Sequence, residues 1–388
     1  MNLPEIPYID ELIALRRDIH AHPEPAFQEN RTADIIACEL ERFGIAVHRG
    51  VGKTGVVGVL RAGDGARSIG LRADMDALPI AEHNDFAHRS VYPDLMHACG
   101  HDGNTVMLLG AARYLAEHPD FDGTVVFIFQ PAEEGEGGAL EMINDGLFQR
   151  FPMDSVYGLH NWPGIAAGKI AAFAGPIMAG TNRFKITLRG RGSHAAMPHL
   201  ADDVIVAASQ LAMALQTVTS RSLHPTEAAV VSVTRFDAGS AWNVLPVEAA
   251  LRGTIRIFTS EAQSAIEASV TRLANGTAAA YGANAEVEFM YIDPPTVNTS
   301  AEAERCFAAA RCILGEDKVT NKTRPSMAAE DFSCLLKERP GCYVWLGNGI
   351  ETGGRGLHSP RYDFNDEILP IGVAYWVRLA QTLLGNSE

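Results

Sequence analysis

The segment MHACGHDGN sets His97, Cys99 and His101 at alternate positions, so an extended chain would point two or three metal-binding side chains to one side. A thiol and imidazoles are the ligand types that zinc and its transition-metal neighbours take. By itself the segment reads equally well as a buried thiol among hydrogen-bonded histidines. A second group lies in QPAEEGEGGA, where adjacent Glu133 and Glu134 follow an apolar run and precede glycines that let backbone approach a bound group. Two consecutive carboxylates at the end of a buried strand are costly unless a cation neutralises them; the alternative is a solvated acidic turn. VYGLHNWPG adds His160 after another apolar run, and GGRGLHSPRYDFNDE adds His358 in a glycine-rich loop. A mononuclear site would need only three or four of Cys99, His101, Glu134, His160 and His358. Two divalent ions sharing one anionic bridge would use all five, acidify a water and leave Glu133 as general base. Zinc, manganese, cobalt and nickel all suit such ligands.

These residues need elements that bring strand ends together. Tyr8 to His20 has helical spacing and ends at HAHPEP. GVVGVL at 55–60, SIGLRADMDAL at 68–78 and TVVFIFQPAEE at 124–134 read as buried strands, with MLLGAARYLAEH as a helix between the last two. Strands alternating with helices predict a layered αβα sandwich of α/β class, whose ligands gather beyond the carboxyl ends of the strands. From about Ile177 the texture becomes strand, helix, strand, strand, helix, strand, closed by Asp293-Pro294-Pro295, which predicts a small α+β, ferredoxin-like unit. CFAAARCILG then returns to α/β texture. The expected domains are therefore 1–176 with 297–388, and an inserted 177–296.

Composition narrows the function. The 388 residues carry 32 Lys and Arg against 47 Asp and Glu, a formal charge of -15 that repels nucleic acid and anionic membranes. No apolar run has the length of a membrane span, and the opening segment lacks a basic stretch followed by an apolar block; a cytoplasmic location with reduced cysteines is expected. GVGKTG at 50–55 is no phosphate loop, because the required earlier glycine position is Val47. Neither HExxH nor GxSxG occurs. His20 and His22 fall in a proline-bounded loop, where a structural or supporting role is expected rather than ligation.

The motifs RRDIHAHPEPAFQE, LRADMDALPI, MHACGHDGN, QPAEEGEGGA, GLHNWPG, RGSHAAMPH, AWNVLP, LRGTIR, MAAEDF and GLHSPRYDFNDE run in one order through nearly the whole chain. This order resembles the M20 metallopeptidase clan, and within it the amidohydrolases of the hippurate hydrolase, aminoacylase and auxin-conjugate hydrolase type. The resemblance implies hydrolysis of N-acyl amino acids or dipeptides at a dinuclear site. In it Cys99 bridges, His101 and His160 complete one metal, and Glu134 and His358 complete the other. It further implies Glu133 as general base, Asp76 orienting the site, and a homodimer formed through an inserted lid and dimerisation domain. That domain's His194, Asn243 and Arg256 would serve the oxyanion and the substrate carboxylate. Where most of the wider clan has an aspartate bridge and a histidine before the residue matching Asp76, this chain has Cys99 and Asp74. Asn104 stands where relatives usually carry histidine. Two other readings remain: a thiol amidase using Cys99 with His101 as its base, and a metal-free binding or scaffold protein.

Overall fold

A computed structural model describes residues 4–350 and 355–385. The chain opens with helices α1 (Ile9–Ala21) and α2 (Asn30–Arg42), a hairpin of β1 (Ala46–Val51) and β2 (Gly55–Ala62), and strand β3 (Ser68–Asp74). Helix α3 (His101–Glu117), strand β4 (Gly123–Gln130), helix α4 (Gly138–Asn144) and strands β5 (Ser155–Pro163) and β6 (Ile170–Ala171) follow. The inserted segment contributes β7 (Gly180–Arg189), α5 (Val204–Leu215), β8 (Val230–Ala238), β9 (Glu248–Ile257), α6 (Ser260–Ala280) and β10 (Asn284–Asp293). The chain then returns through α7 (Ser300–Leu314), β11 (Val319–Thr320), α8 (Phe332–Glu338), β12 (Gly341–Gly349) and α9 (Leu369–Leu384).

Contacts divide the chain into two compact units: Met1–Ile177 with Val297–Arg324 and Asp331–Glu388, and Met178–Thr296 with Pro325–Glu330. The segment 325–330 joins the second unit because Ala179 N–H donates to the carbonyls of Ser326 and Ala328.

The first unit is built on an eight-stranded mixed sheet ordered β1-β2-β4-β3-β5-β12-β6-β11. Its centre is parallel, with β3 between β4 and β5, and β5 against β12. Nearly every residue of β3 and β4 is buried, as expected for strands covered on both faces. Helices α1, α3, α7 and α9 pack on one another and share one hydrophobic cluster with these strands, while α4 packs on α8. Helix α3 is buried around most of its circumference, which its run of alanine, glycine, leucine and methionine permits.

The second unit is a four-stranded antiparallel sheet ordered β8-β9-β7-β10, with its own core of α5 and α6 against β7 and β9. Burial alternates along β7 and β10, so one sheet face meets the helices. Asp203 and Thr259 cap the two helices by accepting backbone N–H bonds. No helix among the described residues is long and apolar enough to cross a membrane.

Two local expectations are corrected. MHACGHDGN is not extended throughout, since His101 opens α3. His20 is not in a loop: α1 runs on to Ala21 and buries His20 on the face of Leu12, Arg16 and Ile19.

Candidate metal centre

The carboxyl ends of three parallel strands supply the site. Asp74 closes β3, Gln130 closes β4, and His160 lies near the end of β5. After β4 the chain turns through Pro131 and Ala132, whose φ of 53° is unusual for a residue with a side chain. The buried carboxylate of Glu29 pins this turn, accepting from Ala132 N at 2.9 Å and Phe27 N at 3.0 Å. Glu133 and Glu134 follow directly. Ahead of α3, Gly100 has φ 90°, and a methyl there would overlap Tyr362 Oη and Asn161 Oδ1, so only glycine seats His101 at the helix start.

Among the groups that the ligand atoms form, two share one thiol, and a third joins His101 with Glu133 and Glu134. Cys99, His101 and His160 offer atoms all within 4.8 Å of one another, and so do Cys99, Glu134 and His358. Cys99 Sγ lies 3.5 Å from His160 Nε2, and His358 Nε2 lies 3.2 Å from Glu134 Oε1. His101 Nε2 is 3.9 Å from carboxylate oxygens of both Glu133 and Glu134. Both buried imidazoles are oriented from behind. His101 Nδ1 donates to the Asp76 carbonyl at 2.9 Å, with Asp76 Oδ1 at 3.2 Å, and His160 Nδ1 donates to the Asn161 carbonyl at 2.7 Å. With Nδ1 so engaged, it is Nε2 that each ring turns to the group, where a neutral imidazole offers its lone pair to a cation, and His101 Nε2 has no hydrogen-bond partner although buried. Asp76 also accepts from Glu134 N at 3.1 Å, tying the two strand ends together.

The electrostatics favour cations. Burial, with Glu134, Glu133 and Asp74 nearby, pushes the Cys99 thiol well above its ordinary range. Burial alone would lower the His101 pKa, but Asp74, Asp76 and Glu134 outweigh it and push the value up to about 10. Asp74 is itself held well below the carboxylate range, burial being overcome by His101, Arg72 and His160. Carboxylate oxygens, imidazole nitrogens and one thiol sulfur gathered in one place, with an orphaned buried imidazole nitrogen among them, fit divalent transition metals.

A profile of Peptidase family M20/M25/M40 matches residues 70–382. The chain is 40% identical over 382 residues to the hippurate hydrolase of Campylobacter jejuni, covering 98% of this chain and 99% of that one. It is 38% identical over 377 residues to an N-acetylcysteine deacetylase of Bacillus subtilis, covering 96% and 97%. A crystal structure of a dinuclear metal-binding M20 peptidase from Bacillus subtilis matches with a TM-score of 0.86 at 34% identity, covering 97% and 98%. The chain belongs to the M20 peptidase family. It is an amidohydrolase.

Sequence reasoning missed the buried frame behind this M20 site. Arg72 donates to Asp74 at 2.7 Å, Gln130 at 2.9 Å and Asp331 at 3.2 Å, and Asp331 also accepts from Ala139 N at 2.9 Å. On the other side of α3, Asp102 accepts from Arg16 at 3.1 Å and from His20 Nδ1 at 2.9 Å, and His20 Nε2 faces Glu82 at 3.3 Å. An available signal was charge inside an apolar strand: LRAD places Arg72 and Asp74 two apart, on one face of β3.

His194, Asn243 and Arg256 lie in the second unit. A two-residue ribbon pairs Ser193–His194 with Val244–Leu245, and Ala195 N–H donates to the Asn243 carbonyl at 2.9 Å, so His194 and Asn243 are neighbours. His194 Nδ1 accepts from Ala196 N at 3.1 Å, which leaves Nε2–H as a donor on an exposed ring. Arg256 is half-buried on β9 with Asp293 and Arg183 nearby; burial lowers its pKa.

Proposed function

We propose that this amidohydrolase cleaves N-acyl and N-aroyl amino acids, releasing a carboxylic acid and an amino acid, with two divalent metal ions. The observation that carries the reading is the sharing of Cys99 between the groups Cys99, His101, His160 and Cys99, Glu134, His358. Such a pair supplies, when bound, polarisation of the scissile carbonyl and acidification of water. His101 and His160 would hold one ion and Glu134 and His358 the other, with the Cys99 thiolate between them. Zinc, manganese, cobalt and nickel all fit this donor set.

Glu133 lies outside the two groups that share Cys99 but has a carboxylate oxygen within 4.8 Å of ligand atoms of His101 and Glu134, a position that suits a base accepting the proton of the attacking water and delivering it to the leaving nitrogen. Asp76 fixes the His101 ring and the Glu134 backbone, so its part is orientation. His194 would donate from Nε2 to the developing oxyanion, with Asn243 beside it, and Arg256 would receive the substrate carboxylate through its planar fork. The acyl group has an apolar surface available: Trp162, two residues beyond His160 on β5, stacks on Trp345 with centroids 4.2 Å apart and lies 6.2 Å from the His160 ring. A free-thiol nucleophile is disfavoured, since the buried Cys99 ionises readily only with cations beside it.

The test is metal analysis of purified protein together with release of amine from benzoyl, acetyl and indolylacetyl amino acids. About two equivalents of metal per chain, with activity lost to chelator and restored by metal, is the expected result. Activity that survives complete metal removal, or Cys99 alkylated equally fast with and without metal in active enzyme, overturns the reading.

A further inference from the structure

The fourth residue of α3, Asn104, is buried with its carboxamide between two strands of the first unit. Its Nδ2 donates to Asp74 Oδ1 at 2.9 Å and its Oδ1 accepts from Asn161 N at 3.2 Å. One planar group thus joins the last residue of β3 to the interior of β5. Both contacts fix its orientation, because turning the amide over would set NH2 against the Asn161 N–H and oxygen against the Asp74 carboxylate.

The anchors on either side are firm. Arg72 Nη1 holds Asp74 at 2.7 Å, and Thr105 Oγ1 donates to the Asp74 carbonyl at 2.7 Å. Asn161 is tied to Tyr362 Oη by its side chain at 2.5 Å, and its carbonyl accepts from His160 Nδ1. Asn104 therefore grips the N–H side of a residue whose C=O side sets the His160 ring. It also stands three positions after His101, on the same face of the helix. Asn104 thus adds a bonded link between the elements that carry His101 and His160, whose rings meet edge to face with centroids 5.5 Å apart. Neither Asn104 bond reaches Glu134 or His358: Glu134 follows the turn pinned by Glu29, and the His358 N–H donates to the Ala98 carbonyl, while Asp76 and Cys99 are common to both halves.

We infer that Asn104 is a positioning residue for one half of the metal centre: it sets the spacing of His101 and His160, and leaves Glu134 and His358 untouched. The inference rests on the dinuclear reading above.

Zinc binding by competition with a chromophoric chelator tests it, using wild type, Asn104→Leu and Thr105→Val. Asn104→Leu should bind one of two zinc ions at least about tenfold more weakly and the other as wild type does, the scale for losing support behind a ligand. Thr105→Val loosens one Asp74 anchor but keeps both Asn104 bonds, so any loss of zinc affinity should fall on the same ion and be smaller than that of Asn104→Leu. If Asn104→Leu does not fold, Asn104→Ser serves, since its hydroxyl is too short to span both partners. Two zinc ions bound as in wild type, or both weakened to the same degree, overturn the inference. A wild type that takes fewer than two overturns the dinuclear reading, and this inference with it.

Discussion

Glu133 and Glu134 share one turn and one chemistry, yet their surroundings differ. Glu134 has its N–H fixed to Asp76 and its carboxylate 3.2 Å from His358, whereas Glu133 reaches no closer than 3.9 Å to His101 Nε2. Glu133→Gln keeps the shape but cannot take a proton, so turnover should fall by a factor of about 10² to 10⁴ with metal content unchanged. Glu134→Gln should instead lose metal. Elemental analysis alongside kcat separates the two, and the opposite pattern would exchange their roles. The residues that converge here were legible because cysteine and histidine at strand ends are uncommon and chemically narrow. Asn104 stood out as a departure but its partners did not, and Arg72 and Asp331 were not marked as a pair. The charges of LRAD signal a buried partner for Arg72, but Asp331 lies 259 positions away, and nothing in its residue type marks it as that partner.

Helix α1 shows how one element serves another. Its apolar spacing was readable, but Arg16 and His20 on its buried face find their partner, Asp102, on the first turn of α3. Three groups from two helices thereby hold the turn that begins with His101. Burial lowers the His20 pKa, but Asp102 and Glu82 outweigh it and push the value up to about 9. A folded pKa above the unfolded one means that the native state binds the extra proton. The stabilisation is complete below about pH 6.5 and is lost as pH rises through about 9. Denaturant titrations between pH 6 and 10 should show wild type losing roughly 3 kcal/mol more than His20→Gln over that window, an upper figure at 1.36 kcal/mol per pKa unit. Equal slopes would show that His20 is not charged in the native state. The proline-bounded HAHPEP segment concealed this arrangement, because the helix continues to Ala21 before the prolines intervene.

The two units have separate cores, one organised on the eight-stranded sheet and one on α5 and α6. Residues 178–296 produced alone should therefore unfold cooperatively by circular dichroism; a broad, baseline-like melt would mean that the insert borrows its stability. The insertion itself was legible from the change in strand and helix order, while the return of 325–330 to the second unit was not, since it depends on three backbone hydrogen-bonding groups rather than on side-chain pattern. We propose further that the protein is a homodimer in which His194 serves its partner's site. Co-expressing Glu133→Gln with His194→Ala should then restore about a quarter of wild-type activity, because about half the dimers are mixed and each of these has one intact site. Activity no higher than that of either parent, with mixed dimers verified by mass, would rule this out. The sheet order has a consequence during synthesis. Strand β5, which carries His160, pairs on one side with β12, and β12 begins only at Gly341. A ribosome making roughly 5–20 residues per second needs about 10 to 35 seconds to cover that gap. Over this interval the nascent chain holds a buried-type strand with a bare edge, open to pairing with another chain, and the self-contained insert is what emerges while it waits.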